Sequence, residues 1–255
     1  MKPVCLVIGA GAGIGGHVGK RFASGGYHTV FCRRSDKEGL DLLVEQVKAA
    51  GGTASGVLLN AVEENTLETL IMETERETGP IEVLLFNLGA QIGNRNLADT
   101  SYKAFELGWR MACFALFRVA KTIMPYMAAR GGGTLLITSA TAALRGNAGQ
   151  HSHASAIGGR RLLAQSLNAE FAPKGIHIAH IVIDGPVDAP DTLGKLLGPE
   201  AFARLRKEKG EGKDALLNPE KLSETYWHLA HQHRSAWTHE IDLRPWTDTP
   251  WWNDN

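Results

Sequence analysis

The sequence contains few cysteines, no excess of either charge and no long apolar run, and each absence excludes a class of protein. Only three of the 255 residues are cysteines, and their wide spacing indicates buried free thiols rather than a disulfide framework. The 27 basic side chains match the 27 acidic ones, so no net charge favours nucleic acid or an anionic membrane as a partner. No run of about 18 apolar residues predicts a membrane span. The first apolar segment follows a single Lys without a signal-peptide pattern, so we expect a cytoplasmic protein.

Short apolar runs alternate with helical segments along the whole chain. This alternation predicts an α/β fold, with one doubly wound parallel sheet of about seven strands and helices on both faces. We expect a single domain over residues 1–255, with long helices at about 102–129 and 149–172. The predicted strands are 4–8, 29–32, 54–59, 81–86, 134–138, 176–183 and 240–243.

Two segments near the C-terminus lie outside this alternation. The segment at about 190–214 mixes apolar and charged side chains, and we predict a helical excursion over 190–209 within a loop that covers a substrate. The tail at 245–255 carries Trp246, Trp251 and Trp252. Large indole rings avoid water, so we expect the tail to pack on the domain or on a partner subunit.

A glycine-rich turn follows the first predicted strand. Its spacing is Gly-x-x-x-Gly-x-Gly, formed by Gly9, Gly13 and Gly15, and a helical pattern comes directly after it. Strand, glycine turn and helix together present backbone N–H groups to a pyrophosphate. Glycines let the backbone approach the phosphates without a Cβ in the way. The sequence therefore predicts a dinucleotide site.

The end of the second predicted strand indicates which dinucleotide is bound. A carboxylate at this point would accept hydrogen bonds from the ribose hydroxyls of NAD and repel a 2′-phosphate. The sequence instead has Cys32, followed by Arg33 and Arg34. Guanidinium groups suit a phosphate, so we predict NADP(H) in preference to NAD(H). The alternative is a solvated pair of basic side chains.

These motifs resemble those of the short-chain dehydrogenase/reductase family over essentially the whole chain. Besides the glycine turn, the family's patterns are matched by Asn60, Asn87-Leu88-Gly89-Ala90, Met124-Pro125-Tyr126-Met127 and Asp184-Gly185-Pro186-Val187. The resemblance implies a Rossmann-type fold and a nicotinamide cofactor. The cofactor-binding residues that it implies are Gly9, Gly13, Ile14, Gly15, Arg33, Arg34, Asn60, Asn87, Gly89, Gly185 and Val187.

The resemblance also implies a proton relay. In the family a Tyr exchanges a proton with the substrate, a Lys four residues later lowers the pKa of that Tyr, and a Ser about 13 residues before it orients the substrate oxygen. An Asn in the preceding long helix completes the set. The matching positions here hold His153 for the Tyr, Ile157 for the Lys, Ala140 for the Ser and Ala112 for the Asn, and the position of a Thr that binds the nicotinamide amide holds Ala189.

Two polar side chains close to these positions suit the same chemistry. A shift of one residue places Ser139 at the Ser position. An imidazole titrates near 6.5 in water, so His153 needs no neighbouring lysine to exchange a proton. We predict that Ser139 orients a carbonyl oxygen and that His153 supplies the proton. The alternative is that His153 is only a polar residue of the helix. For Arg160 and Arg161 we expect surface salt bridges.

Three histidines near the C-terminus, His228, His231 and His233, share a spacing that some metal sites use. They lie at a predicted helix end, far in sequence from the predicted cleft, so we predict a structural role and no metal.

Together these features predict an NADP(H)-dependent oxidoreductase that acts on a carbonyl- or alcohol-class small molecule. An alternative is a catalytically silent NADP(H)-binding protein of the same fold that acts as a sensor or partner. A third hypothesis is that water or the substrate supplies the proton and the chain only places the cofactor. From the resemblance we expect a homodimer or homotetramer assembled through the two long helices.

Overall fold

The computed structural model describes residues 1–89, 96–210 and 212–253. In this part of the chain, seven strands form one sheet in the order β3-β2-β1-β4-β5-β6-β7, and neighbouring strands are parallel throughout. The strands are β1 (Val4–Ile8), β2 (His28–Arg33), β3 (Thr53–Leu58), β4 (Ile81–Phe86), β5 (Gly133–Ala140), β6 (Ile176–Ile183) and β7 (Glu240–Leu243).

Helices follow most of the strands. The α-helices are α1 (Ile14–Ser24), α2 (Lys37–Ala49), α3 (Thr66–Glu73), α4 (Tyr102–Trp109), α5 (Ala115–Ala129), α6 (His151–Phe171), α7 (Lys195–Leu197), α8 (Pro199–Leu205) and α9 (Pro219–Ala230). Wider π-helical turns occupy Thr74–Thr78, Arg110–Phe114, Pro190–Gly194 and Arg206–Gly210. None of these described helices is long and apolar enough to cross a membrane.

Strands β1, β2, β4, β5 and β6 are buried at most positions, as is typical of parallel strands that helices cover on both faces. The edge strands β3 and β7 are only partly buried. In β1, Val4, Leu6 and Ile8 pack on the side that holds α3, α5 and α6. Cys5 and Val7 pack on the other side, with α1, α2 and α9. The expected doubly wound sheet with helices on both faces is therefore confirmed.

The order of the strands creates the crevice in which such sheets bind ligands. Strand β1 pairs with β2 on one side and with β4 on the other, so the chain leaves β1 at the point where the strand order reverses. Ligands of open parallel sheets bind at the carboxyl ends of the strands at this point. The glycine turn, directly after β1, lies there.

The long helix predicted at 102–129 is interrupted. The π-helical turn Arg110–Phe114 separates α4 from α5, and it contains the buried Ala112. Sequence periodicity does not detect one wide turn, because the apolar residues on either side remain on the buried face. The predicted burial of the free cysteines holds for Cys5 and Cys32, whereas Cys113 in this turn is only half-buried.

The C-terminal tail, described as far as residue 253, folds back on the domain. The backbone N–H of Trp251 donates to Asp184 Oδ2 at 3.1 Å, and the backbone carbonyl of Trp251 accepts from Arg145 at 2.8 Å. The Arg244 guanidinium carbon lies over the Trp252 ring, 4.5 Å from the centre of that ring. Trp246 remains 79% exposed, although its indole N–H donates to the Lys213 carbonyl at 3.1 Å.

Candidate functional site

The glycine turn forms a cradle that has no room for side chains. Gly9 has φ +100°, and a Cβ there would lie 2.7 Å from the Asn87 carbonyl oxygen. A Cβ on Gly13 would lie 2.9 Å from the Ala189 Cβ, and one on Gly15 would overlap the Gly9 carbonyl oxygen. Asn87 holds the turn against the end of β4, since its Nδ2 donates to the Gly9 carbonyl at 2.9 Å.

Helix α1 begins immediately after this cradle, and no side chain caps its first N–H groups. An uncapped helix N-terminus next to bare backbone is a favourable environment for a pyrophosphate. The residues of the turn therefore fit a dinucleotide.

The two arginines at the end of β2 point in different directions. Arg33 is largely buried and forms ion pairs with Asp36 at 2.9 Å and Asp191 at 3.2 Å. Arg34 is exposed and lines a cavity of about 600 Å³ together with Asn60. Asn60 Nδ2 donates to Glu63 within that cavity wall. Arg33 thus belongs to the glycine cradle, and Arg34 and Asn60 belong to the neighbouring outer cleft.

Ser139 and His153 face one continuous cleft. They line both a cavity of about 240 Å³ that begins at the glycine turn and a wider one of about 640 Å³ beyond it. Gly185 lines the wider cavity. The predicted site residues gathered around the first cavity are Gly9, Gly13, Ile14, Gly15, Asn87, Gly89, Ser139, His153 and Val187, whereas Ala90 of the Asn87 motif lies outside the described residues.

Ser139 is the buried hydroxyl of this cleft. It is 6% exposed, and its Oγ has no hydrogen-bond partner among the described residues. A buried polar atom without a partner is uncommon in native proteins. This hydroxyl is therefore available to a substrate oxygen.

The prediction of a surface salt bridge is wrong for Arg160. Its side chain is 2% exposed. The guanidinium donates to three backbone carbonyls, those of Ala112 at 2.8 Å, Thr138 at 2.6 Å and Leu88 at 2.6 Å. Burial lowers the pKa of Arg160 to about 9, so it still carries its charge at neutral pH. A buried cation therefore joins the ends of β4 and β5 to the π-helical turn.

A signal for this burial is present in the sequence. His153, Ile157, Arg160 and Ala164 follow each other at spacings of four, three and four, which places them on one face of α6. Ile157 and Ala164 are buried, so the arginine between them has to be buried too. Arg161 points elsewhere, and its predicted salt bridge is confirmed by Glu240 at 2.6 Å.

The buried His180 of β6 contacts Glu240, the carboxylate that pairs with Arg161. His180 Nδ1 lies 3.0 Å from Glu240 Oε2, and burial lowers the pKa of His180 to about 4. The hydrogen bond from Arg161 lowers the pKa of Glu240 below its ordinary value. This trio joins α6, which carries His153, to the far edge of the sheet.

Three of the four positions aligned with the family's relay, Ala112, Ala140 and Ile157, hold apolar side chains. Ala112 is fully buried and Ile157 is 2% exposed, and Ile157 lines the first cavity together with Ala140 and Ala189. The wall beside His153 is therefore formed by hydrocarbon.

Asp191 was not predicted as a site residue. Its Oδ2 accepts the Ala12 N–H at 3.0 Å as well as the Arg33 guanidinium. These partners are separated from Asp191 by 179 and 158 residues, and no local pattern in the sequence indicates such a contact.

The three C-terminal histidines make local contacts. His231 Nδ1 lies 2.7 Å from the Trp227 carbonyl oxygen, with its ring 3.7 Å from the Trp227 ring, and His233 Nδ1 pairs with the Ser235 hydroxyl. Over residues 1–89, 96–210 and 212–253, no group of three or more potential ligand side chains is arranged to hold a metal ion.

The fold and the cradle define a Rossmann-type dinucleotide-binding protein. Residues 3–194 match the model of the short chain dehydrogenase family, and the chain belongs to this family, whose members are NAD(P)(H)-dependent oxidoreductases.

Relatives support the assignment. The crystal structure of a short-chain dehydrogenase from Rhodopseudomonas palustris is 34% identical, with 96% of this chain and 99% of that chain matched and a TM-score of 0.79. The 3-oxoacyl-[acyl-carrier-protein] reductase FabG of Thermotoga maritima is 26% identical over 74% of this chain and 76% of its own. An actinorhodin polyketide ketoreductase variant, crystallised with NADPH, has the same fold at 22% identity, with 96% of each chain covered and a TM-score of 0.83.

Proposed function

We propose that this protein is an NADP(H)-dependent oxidoreductase that transfers hydride between the cofactor and a carbonyl- or alcohol-class small molecule. The observation that carries the proposal is the continuous cleft from the glycine cradle to Ser139 and His153. A cofactor held at the cradle would extend along this cleft and meet the hydroxyl and the imidazole at its far end.

The choice of NADP(H) rests on charge at the end of β2. Arg33 lies beside the cradle and Arg34 beside Asn60 in the outer cleft. Guanidinium groups bind phosphate oxygens, whereas a carboxylate at this point would select the free ribose of NAD. The proposed cofactor-binding residues are those already named, with Asn60 on the adenine side.

In the proposed reaction the bound nicotinamide supplies or accepts the hydride. The Ser139 hydroxyl donates a hydrogen bond to the substrate oxygen, a role that suits its buried and unpartnered Oγ. His153 gives a proton to that oxygen during reduction and removes it during oxidation. One hydride and one proton thus convert the carbonyl to the alcohol. Arg160 lines the first cavity, but its guanidinium donates to three backbone carbonyls, so we assign it a positioning role.

A second candidate function is supported by the apolar wall. Ile157 and Ala140 beside His153 leave no ammonium group and no second hydroxyl at the aligned positions. A cleft of this kind is compatible with a protein that binds NADP(H) and signals its presence without reacting.

Binding and turnover separate the two candidates. NADPH and NADH are each titrated into the protein, and binding is followed by the change in tryptophan fluorescence. No response to either cofactor would contradict both proposals. NADPH oxidation is then followed with a panel of aldehydes, ketones and quinones. His151→Gln is a matched control for His153→Gln, because His151 lies on the same helix but lines neither cavity.

We expect Ser139→Ala and His153→Gln each to lower kcat by about 100-fold or more, as loss of general acid–base catalysis does, with His151→Gln close to the parent. Turnover by the parent that His153→Gln leaves unchanged would contradict the role of His153. NADPH binding without turnover of any substrate in the panel would favour the silent protein.

Assembly through the long helices stays a prediction. Helix α4, the π-helical turn and α5 carry a row of partly exposed aromatic side chains, Phe105, Trp109, Phe114 and Phe117. An exposed aromatic row of this kind fits an interface between two copies of the chain. Sedimentation of the parent and of Phe117→Glu tests this, and a monomeric parent would contradict it.

A further inference from the structure

One carboxylate occupies the anion-binding position of the cradle. Asp191 Oδ2 lies 3.0 Å from the Ala12 amide nitrogen and 3.2 Å from the Arg33 guanidinium. Its other oxygen, Oδ1, lies 3.8 Å from Lys195 Nζ. A backbone N–H from a glycine-rich turn and a guanidinium are the donors that bind phosphate oxygens in proteins. Here they bind an aspartate.

The aspartate comes from a distant part of the chain. Asp191 is in the π-helical turn Pro190–Gly194, which opens the predicted substrate loop after β6. The neighbouring Ala189 packs close to Gly13, since a Cβ on that glycine would lie 2.9 Å from the Ala189 Cβ. The substrate loop is therefore attached to the cradle by the ion pair with Arg33, by the hydrogen bond from the Ala12 N–H and by the close approach of Ala189 to Gly13.

A phosphate that used these donors would come into contact with the carboxylates that already occupy them. Arg33 already carries a second acidic partner, Asp36, at 2.9 Å. A phosphate at this point would meet two carboxylates as well as the guanidinium, and like charges in direct contact are strongly unfavourable. A phosphate can enter only when the Asp191 carboxylate leaves.

We propose that Asp191 holds the place of the cofactor's 2′-phosphate in the ligand-free protein, so that cofactor binding exchanges one anion for another and releases the start of the substrate loop. The inference rests on the proposed NADP(H) function. It adds that Asp191 weakens binding of the phosphorylated cofactor and couples the cradle to the segment Pro190–Gly194.

The test compares two carboxylates of one loop. Asp191→Asn keeps the size of the side chain and removes its charge. Asp188→Asn makes the same change three residues earlier, where the carboxylate pairs with Arg206 at 3.1 Å and lines neither cavity. Dissociation constants for NADPH, NADH and 2′,5′-ADP are measured by fluorescence or calorimetry for the parent and both variants.

We expect Asp191→Asn to tighten NADPH and 2′,5′-ADP by about tenfold, the effect of removing one like-charge contact, and to leave NADH within about twofold because NADH has no 2′-phosphate. Asp188→Asn should match the parent. Unchanged NADPH affinity in Asp191→Asn would overturn the proposal while leaving the NADP(H) function intact, and equal tightening of NADH would overturn the assignment to the 2′-phosphate. If the parent and both variants bind none of the three ligands, the proposed function fails first.

Limited trypsin digestion gives a second readout that does not depend on turnover. The loop contains basic residues such as Lys195, Arg204 and Arg206. Release of Asp191 should raise the cleavage rate at these residues in the parent when 2′,5′-ADP is added, and in Asp191→Asn without any ligand. Equal cleavage of the parent with and without saturating 2′,5′-ADP would contradict the coupling.

Discussion

The glycine cradle and the wall beside His153 are built by different means. The cradle, between β1 and α1, depends on backbone: Gly9, Gly13 and Gly15 are required because side chains there would meet other atoms of the chain. The wall, between β5 and α6, depends on side chains, and its members Ala140, His153 and Ile157 come from two elements. One region accepts almost no substitution, and the other can change its chemistry while the fold stays the same.

This difference separates binding from reaction. A cradle of bare backbone can be recognised from glycine spacing alone, and it indicates that a dinucleotide can be held. Chemistry depends on which side chains face the bound cofactor, and fold alone does not determine that.

The largest effect is expected at the buried cation beneath the wall. Arg160→Met keeps an unbranched side chain but leaves the carbonyls of Ala112, Thr138 and Leu88 without their donor. We expect the free energy of unfolding to fall by about 3–5 kcal/mol, as measured by urea denaturation. Arg161→Met is the control, since its ion pair with Glu240 is partly exposed and is worth about 1 kcal/mol or less. Equal losses in the two variants would contradict the buried role.

A smaller loss of stability, with a specific loss of binding, is expected in the cradle. A Cβ on Gly15 would overlap the Gly9 carbonyl oxygen, so Gly15→Ala should lower the free energy of unfolding by about 2–3 kcal/mol and weaken NADPH binding by at least about tenfold. Gly158→Ala is the control, because a Cβ there meets nothing within 4 Å. Because Gly158 lies in a helix interior, this change should raise the free energy of unfolding by about 0.5–1 kcal/mol. Parent-like NADPH binding by Gly15→Ala would show that the cradle is not the binding site.

The smallest effect concerns the trio that holds α6 against the sheet. Burial lowers the pKa of His180 from 6.5 to about 4, so between these values the unfolded chain binds a proton that the folded chain does not. Stability therefore falls as pH falls through this window. Relative to neutral pH, the proton linkage of His180 lowers the free energy of unfolding by about 2 kcal/mol at about pH 5. The lowered pKa of Glu240 adds loss in the same direction at more acidic pH.

His180→Gln tests this pH dependence because glutamine can still donate to Glu240 but does not titrate. The slope of unfolding free energy against pH should be shallower in the variant between about pH 6.5 and 5, as measured by urea denaturation at each pH. His233→Gln, at an exposed histidine, serves as the control. An identical slope in His180→Gln and the parent would contradict the assignment.

The fold could be predicted almost completely because its determinants are local. The apolar runs at Val4–Ile8, Ile81–Phe86 and Ile176–Ile183 coincide with strands β1, β4 and β6. The wide turn Arg110–Phe114 could not be predicted, since it leaves the apolar pattern of the sequence unchanged. In the site, the glycines were predictable from their spacing. The contact between Asp191 and Ala12 was not, because it joins residues 179 positions apart.

Arg160 and Arg161 show most clearly which features could not be predicted from the sequence. Adjacent and identical in type, they differ by about 100° around the helix axis, and only the packing of α6 decides which one is buried. The expected surface position was therefore right for one and wrong for the other.

The most direct test of the central claim is hydride transfer itself. The parent is incubated with NADPH that carries two deuterium atoms at nicotinamide C4, so that transfer from either face delivers deuterium, and with the carbonyl panel. The products are examined by mass spectrometry. The account predicts an alcohol that gains one deuterium with the parent and with His151→Gln, and little or none with His153→Gln. NADPH that binds the parent tightly but transfers no deuterium to any member of the panel would contradict it.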